Sequence, residues 1–194
     1  MENKPKVNGA KKLTDNKFLN MYELEAHQRN GTVFPYQVAS RAKNIDDLLA
    51  VSGSYKADAV AIYSTYKDKL VLIRQYRYPV GDYIYELPAG LIDDNESIIE
   101  AARREMKEET GLDFYPAIYH KINPWLSSPG MTDETCAIIF GVCEGIPTNQ
   151  NQEDSEDIEV ILVDVDKAFD ILTNERVDVR AAMGIVLYLK GMRE

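Results

Sequence analysis

Cysteine and histidine are scarce: the 194-residue chain holds two of each. Cys136 and Cys143 lie in one apolar segment, and their odd separation sets them on opposite faces of a strand, which argues against a disulfide between them. A reducing, cytoplasmic setting is the default for such a chain. His27 and His120 stand alone, without the spacing of a metal-binding pair. No apolar run approaches the ~18–20 residues that span a bilayer. The basic start MENKPKVNGAKKLTDNK leads into no signal-peptide core. Positive charge is in deficit, with 22 Lys and Arg against 32 Asp and Glu, a net of −10. Such a chain repels a phosphate backbone, so neither nucleic-acid nor membrane partners are expected. Gly-x4-Gly-Lys-Ser/Thr and Gly-x-Gly-x-x-Gly are both absent, as are internal repeats and low-complexity segments.

What is present is a globular composition, 45% apolar and 28% charged, long enough for one domain with a small appendage. Residues 1–16 read as a flexible tail, 17–55 as a small β subdomain and 56–194 as the main domain. In the second segment, alternating stretches flank Arg29-Asn30-Gly31, a strong hairpin signal. Pro35 belongs on an edge or bulge of that hairpin. Strands are expected at 57–64, 70–75, 83–87, 136–142 and 158–163. Helices are expected over 96–109, from about Asp166, and over 179–189 with Asp178 as N-cap. Strands and helices mix without a regular βαβ alternation, which makes the fold class α+β.

The acids are unevenly placed. Seven of the 32 fall in residues 93–109 and eight in 153–170. Glu105, Glu108 and Glu109 stand at i, i+3 and i+4, so a helix presents their carboxylates on one face. Like charges so placed destabilise a helix by ~0.2–0.5 kcal/mol per pair, unless a hard cation such as Mg²⁺ or Mn²⁺ neutralises them. Glu96 and Glu100 are positioned to approach Arg104 or Arg103 and orient that cluster. Gly90 and Gly111 bracket the helix where the chain must turn tightly.

Gly90, five residues, Glu96, seven residues, Arg104-Glu105-Met106-Lys107-Glu108-Glu109-Thr110-Gly111-Leu112 resembles the Nudix box at every fixed position. The resemblance implies a mixed β-sheet sandwiched between helices, with the box as a loop–helix–loop, and a Mg²⁺-dependent hydrolase (Mn²⁺ as alternative) of a nucleoside diphosphate linked to a second group. The flanks Leu72-Ile73-Arg74-Gln75-Tyr76-Arg77, Glu86-Leu87-Pro88-Ala89-Gly90 and Ser128-Pro129-Gly130-Met131-Thr132-Asp133-Glu134 look like the ADP-ribose pyrophosphatase branch. Its reaction yields AMP and ribose 5-phosphate. A nucleotide sugar such as GDP-mannose or another ADP-sugar is the alternative substrate, and a non-catalytic ligand-sensing module the alternative class.

Carried over by position, the resemblance makes Glu105, Glu109 and the Ala89 carbonyl metal ligands. Glu108 joins them directly or through water and takes part in catalysis. Arg77 would hold a phosphate or the terminal ribose, with Gly130 and Glu134 also at the substrate. In this branch the general base comes from an acidic loop before a late strand. Here that loop runs from Gln152 to Ile158, with Glu156 the first choice and Asp154 and Glu153 the alternates. The branch is homodimeric, with amino-terminal strands reaching the partner's site. Phe18 and Tyr36, where many relatives carry tryptophan, would be the base-stacking pair, with Arg41 beside them.

Overall fold

The computed structural model describes residues 4–117, 124–150 and 157–191. The chain divides into two compact units, Met1–Asp58 with Asn123–Cys136, and Ala59–Ile122 with Ala137–Glu194.

The first unit is built on a three-stranded antiparallel sheet, in the order β1 (Lys6–Lys12), β2 (Asn20–His27), β3 (Val33–Ser40). Tyr22 lies opposite Val38 and Leu24 opposite Tyr36, so one face of the sheet is apolar. Its buried part joins Tyr22, Leu24 and Val38 to Leu48, with Val7 and Ala10 packed against them. Pro35 sits in edge strand β3, where its missing N–H costs no ladder bond. A 3-10 turn (Ile45–Asp47), a four-residue helix α1 (Leu49–Ser52) and a short strand β9 (Trp125–Leu126) complete the unit.

The tail expected over residues 1–16 is corrected here: Lys6–Lys12 is a strand paired with β2. Val7 and Ala10 both pack on the same cluster although three positions apart, because the register shifts between Val7 and Gly9. That bulge restores the inward phase and breaks the simple alternation a sequence would show.

In the second unit, strands β4 (Ala59–Tyr66), β5 (Lys69–Arg77), β8 (Asp113–Pro116), β10 (Thr135–Glu144) and β11 (Ile158–Val163) lie in the order β11-β5-β4-β10-β8. Lys67 and Asp68 both have positive φ, the two-residue type I′ geometry that suits a tight hairpin between β4 and β5. Beyond that turn the hairpin splays. β6 (Asp82–Glu86) pairs with the far half of β5, and β7 (Ala89–Leu91) pairs with the start of β4.

Helix α2 (Ile98–Thr110) starts at a capping box. The Glu100 backbone N–H donates to Ser97 Oγ at 3.3 Å, and the Ser97 N–H donates to the Glu100 carboxylate at 2.9 Å. It stops at Gly111, whose φ of 72° suits a left-handed C-cap. Ala101, Ala102 and Met106 bury against Val60, Ile62, Val71 and Ile139. Helices α3 (Val165–Asn174) and α4 (Val179–Gly191) are capped by Asp164 and Asp178, each carboxylate accepting a first-turn N–H. Ile62 faces the α2 core, whereas its neighbour Tyr63 meets Gly184 of α4. Successive strand residues point to opposite faces, so helices cover both sides of the sheet. This is the α+β arrangement expected from the sequence. Among the described residues no helix is long and apolar enough to cross a membrane.

Candidate active site

The loop–helix from Gly90 to Gly111 gathers three of its acids, Glu96, Glu105 and Glu108, around one cation. Arg104 grips Glu96 with two parallel bonds, Nε to Oε1 and Nη2 to Oε2, each 2.9 Å. Its Nη1 donates to Glu105 Oε1 at 2.7 Å and to Glu108 Oε2 at 3.1 Å, and Nη2 also donates to the Leu91 carbonyl at 2.9 Å. A planar guanidinium supplies this fork and an ammonium does not. Hydrogen bonds to Glu96, then to Glu105 and Glu108, hold the Arg104 pKa above its ordinary value. The Arg104 bond, aided by the Asp93 N–H, holds Glu96 below the usual carboxylate range. Glu96 thus orients the cluster as expected. Glu100 differs: its carboxylate closes the α2 capping box, and Ser97 is what lowers its pKa first.

Glu105 and Glu109 are nearly inaccessible, at 8% and 2% exposure, on the inward side of α2. The Ala89 N–H donates to Glu109 Oε2 at 3.0 Å. Gly90 touches the other carboxylate so closely that a Cβ there would lie 1.9 Å from Glu105 Oε1. The absence of a side chain at position 90 is therefore what admits the Glu105 carboxylate against β7. Glu108 is more open, with 43% of its side chain exposed.

The buried Glu105 and Glu109 carboxylates are oxygen donors, a chemistry that fits a hard divalent cation. Among the described residues no three acidic, histidine or cysteine side chains are already gathered to hold an ion by themselves.

A second ion pair lies on the same face of the sheet. Arg77 Nε donates to Glu86 Oε2 at 2.6 Å, and Glu86 is buried at 5% exposure. Glu86 had no place among the residues expected at the site. The signal was the parity of a hairpin register, since Arg77 pairs with Asp82 and Glu86 lies four residues further along the same face.

Within the first unit, the Tyr36 hydroxyl donates to the Gly130 carbonyl at 2.9 Å, and Arg41 Nε pairs with Glu134 Oε2 at 3.0 Å. The Ala39 N–H to Met131 carbonyl bond, 2.9 Å, ties the Ser-Pro-Gly loop to the end of β3. Tyr36, Arg41, Gly130 and Glu134 are thereby brought together. Phe18 is 67% exposed, with the Lys17 ammonium 4.6 Å from its ring centre, whereas the Tyr36 ring meets Phe34 edge-on at 6.3 Å. Glu153, Asp154 and Glu156 lie outside the described residues. Asp157, which follows them, accepts the Tyr83 hydroxyl on its carboxylate and the Tyr76 N–H on its carbonyl.

Helices on both faces of a mixed sheet, and a helix whose glutamates converge on a glycine-bearing strand, define a Nudix domain. The NUDIX domain model matches residues 55–182, and the chain belongs to the Nudix hydrolase family. The Caenorhabditis elegans protein provisionally named nudix hydrolase 2 is 38% identical over 127 residues, 61% of this chain and 56% of that protein. The Saccharomyces cerevisiae ADP-ribose pyrophosphatase is 31% identical over 167 residues, 81% of this chain and 69% of its own length. A crystal structure of an ADP compounds hydrolase superposes with a TM-score of 0.69 at 23% identity, covering 97% of this chain and 96% of that one. This last likeness is one of fold.

Proposed function

We propose that the protein hydrolyses the diphosphate linkage of ADP-ribose to AMP and ribose 5-phosphate, using Mg²⁺. The reading rests on one observation above others: the buried Glu105 and Glu109 carboxylates set against Gly90 and the Ala89 N–H. Its substrate rests on the similarity to the yeast ADP-ribose pyrophosphatase.

Glu105, Glu109 and the Ala89 carbonyl would hold the ion, with Glu108 next to them. When bound, the ion neutralises diphosphate charge and favours ionisation of a water. Arg104, fixed by Glu96, limits how far Glu105 and Glu108 can turn. A carboxylate of the acidic loop, Glu156 first and Asp154 or Glu153 otherwise, takes the proton of the attacking water. The water oxygen bonds to one phosphorus, the bridging P–O bond breaks, and the leaving phosphate carries its electron pair away. Arg77 binds a phosphate through its fork. Arg41, Glu134 and Gly130 contribute to the sugar and phosphate contacts, and Phe18 and Tyr36 to the base. The working form in this reading is a cytoplasmic homodimer.

Hydrolysis of ADP-ribose in ¹⁸O-water, followed by mass analysis, tests both products and bond. AMP and ribose 5-phosphate are expected, with one ¹⁸O on a single phosphate. Label in neither product, or a different pair of products, overturns the reading.

A further inference from the structure

We infer that Glu86 is a positioning residue for Arg77, presetting its guanidinium for a substrate phosphate. The inference rests on the reading of Arg77 as a phosphate ligand. Arg77 pairs with Asp82, whereas the residue across from Glu86 is Ile73. Four residues of strand measure ~13 Å, yet the Arg77 and Glu86 side chains meet at 2.6 Å. Arg77 must therefore lie back along β5, past the Gln75–Ile84 pair, rather than extend into solvent from the strand end. Gln75 and Ile73 share the face of β5 that carries Val71, a member of the core beneath α2. The guanidinium is thus turned toward the face that bears Glu105 and Glu109.

The pair is asymmetric in a useful way. The Glu86 side chain is 7% exposed and that of Arg77 41%. Among the described residues, the bond through Nε is the one hydrogen bond of the Arg77 side chain. Neither Nη group has a partner among the described residues, and two donors in one plane suit two phosphate oxygens. An unanchored arginine loses its rotamer freedom on gripping a phosphate, whereas one held at Nε has lost much of it beforehand. Glu86 also begins the stretch Glu86-Leu87-Pro88-Ala89, whose last N–H donates to Glu109. The phosphate grip and the carboxylate cluster are three residues of backbone apart.

A carboxylate beside an arginine also has an opposite effect: it lowers the positive charge offered to the phosphate. The two effects predict opposite signs for Glu86→Gln, so the sign decides between them. Steady-state kinetics on ADP-ribose with Mg²⁺ should be run for the wild type, Arg77→Ala, Glu86→Gln, Glu86→Asp and the Arg77→Ala/Glu86→Gln double variant. The expected result is a KM raised about tenfold by Arg77→Ala and nearly as much by Glu86→Gln, with a smaller change in kcat. The double variant should be no worse than Arg77→Ala. Glu86→Asp keeps the charge but not the reach, so its KM should rise as well.

A lowered or unchanged KM in Glu86→Gln, with Arg77→Ala impaired, overturns the positioning role. So do additive losses in the double variant. An unchanged KM in Arg77→Ala overturns the phosphate role of Arg77 and the inference with it. Calorimetric titration with inorganic pyrophosphate and Mg²⁺ reads the same coupling without turnover. Inactivity on ADP-ribose would thus defeat the substrate alone.

Discussion

The Ala89 N–H donates to the carboxylate of Glu109 across 20 residues of sequence. The bond joins the strand that enters the box to the last turn of its helix, and it fixes one carboxylate oxygen. Glu109→Gln keeps an acceptor for that N–H and should leave the fold intact, with a thermal midpoint within a few degrees of the wild type. Turnover with Mg²⁺ should fall by about 10²-fold or more, because a neutral amide neither balances nor binds a divalent ion as a carboxylate does. Near-wild-type turnover would remove Glu109 from the metal ligands.

Gly90→Ala places a methyl group where the Glu105 carboxylate now sits, at 1.9 Å from Oε1. Either the strand or the carboxylate must move. A cost of about 1–3 kcal/mol is expected from such overpacking, read as a lower urea midpoint at unchanged slope. Mg²⁺-dependent turnover should fall further than stability alone accounts for. A variant with full stability and full turnover would mean that the close approach of Gly90 to Glu105 does not matter.

Acidification provides a separate check on Arg104. Glu96 is held below the usual carboxylate range chiefly by its Arg104 bonds. A carboxylate with a depressed folded pKa contributes stability above its unfolded value, ~4.3, and loses that contribution as pH falls through the folded value. Glu96→Gln should therefore be less stable than the wild type at about pH 7, and the gap should close on descent toward about pH 3. Urea denaturation of both proteins across that range measures it. A gap independent of pH would contradict the ion-pair account.

Glu156→Gln should lower kcat by about 10²-fold with little change in the Mg²⁺ concentration for half-maximal rate. A kcat within a few-fold of the wild type would transfer the role to Asp154 or Glu153. The corresponding Gln variants, assayed the same way, would then identify which.

Much of the candidate site could be read from spacing, because a helix turns fixed offsets into shared faces. Glu105, Glu108 and Glu109 at i, i+3 and i+4 needed only the 3.6-residue period, and Glu96 met Arg104 as its position suggested. Other features depended on tertiary geometry or on a choice between local partners. Glu100 was expected beside an arginine, but Ser97 three residues before it wins because the cap bonds are strictly local. Strand β1 was hidden by the bulge that puts Val7 and Ala10 on one face. Glu86 was hidden because its meeting with Arg77 follows from the β5–β6 register. The tie between Tyr36 and Gly130 spans 94 residues, a separation that no local pattern reports.

The most direct measurement is phosphate release, with a coupled phosphatase, from ADP-ribose, GDP-mannose, ADP-glucose, NADH and 8-oxo-dGTP, each with Mg²⁺ and after chelation. The account predicts a clear preference for ADP-ribose, abolished by chelation and restored when Mg²⁺ is returned. Preferred turnover of another compound would contradict the substrate, and turnover of none with Mg²⁺ present would contradict the claim that these carboxylates serve hydrolysis.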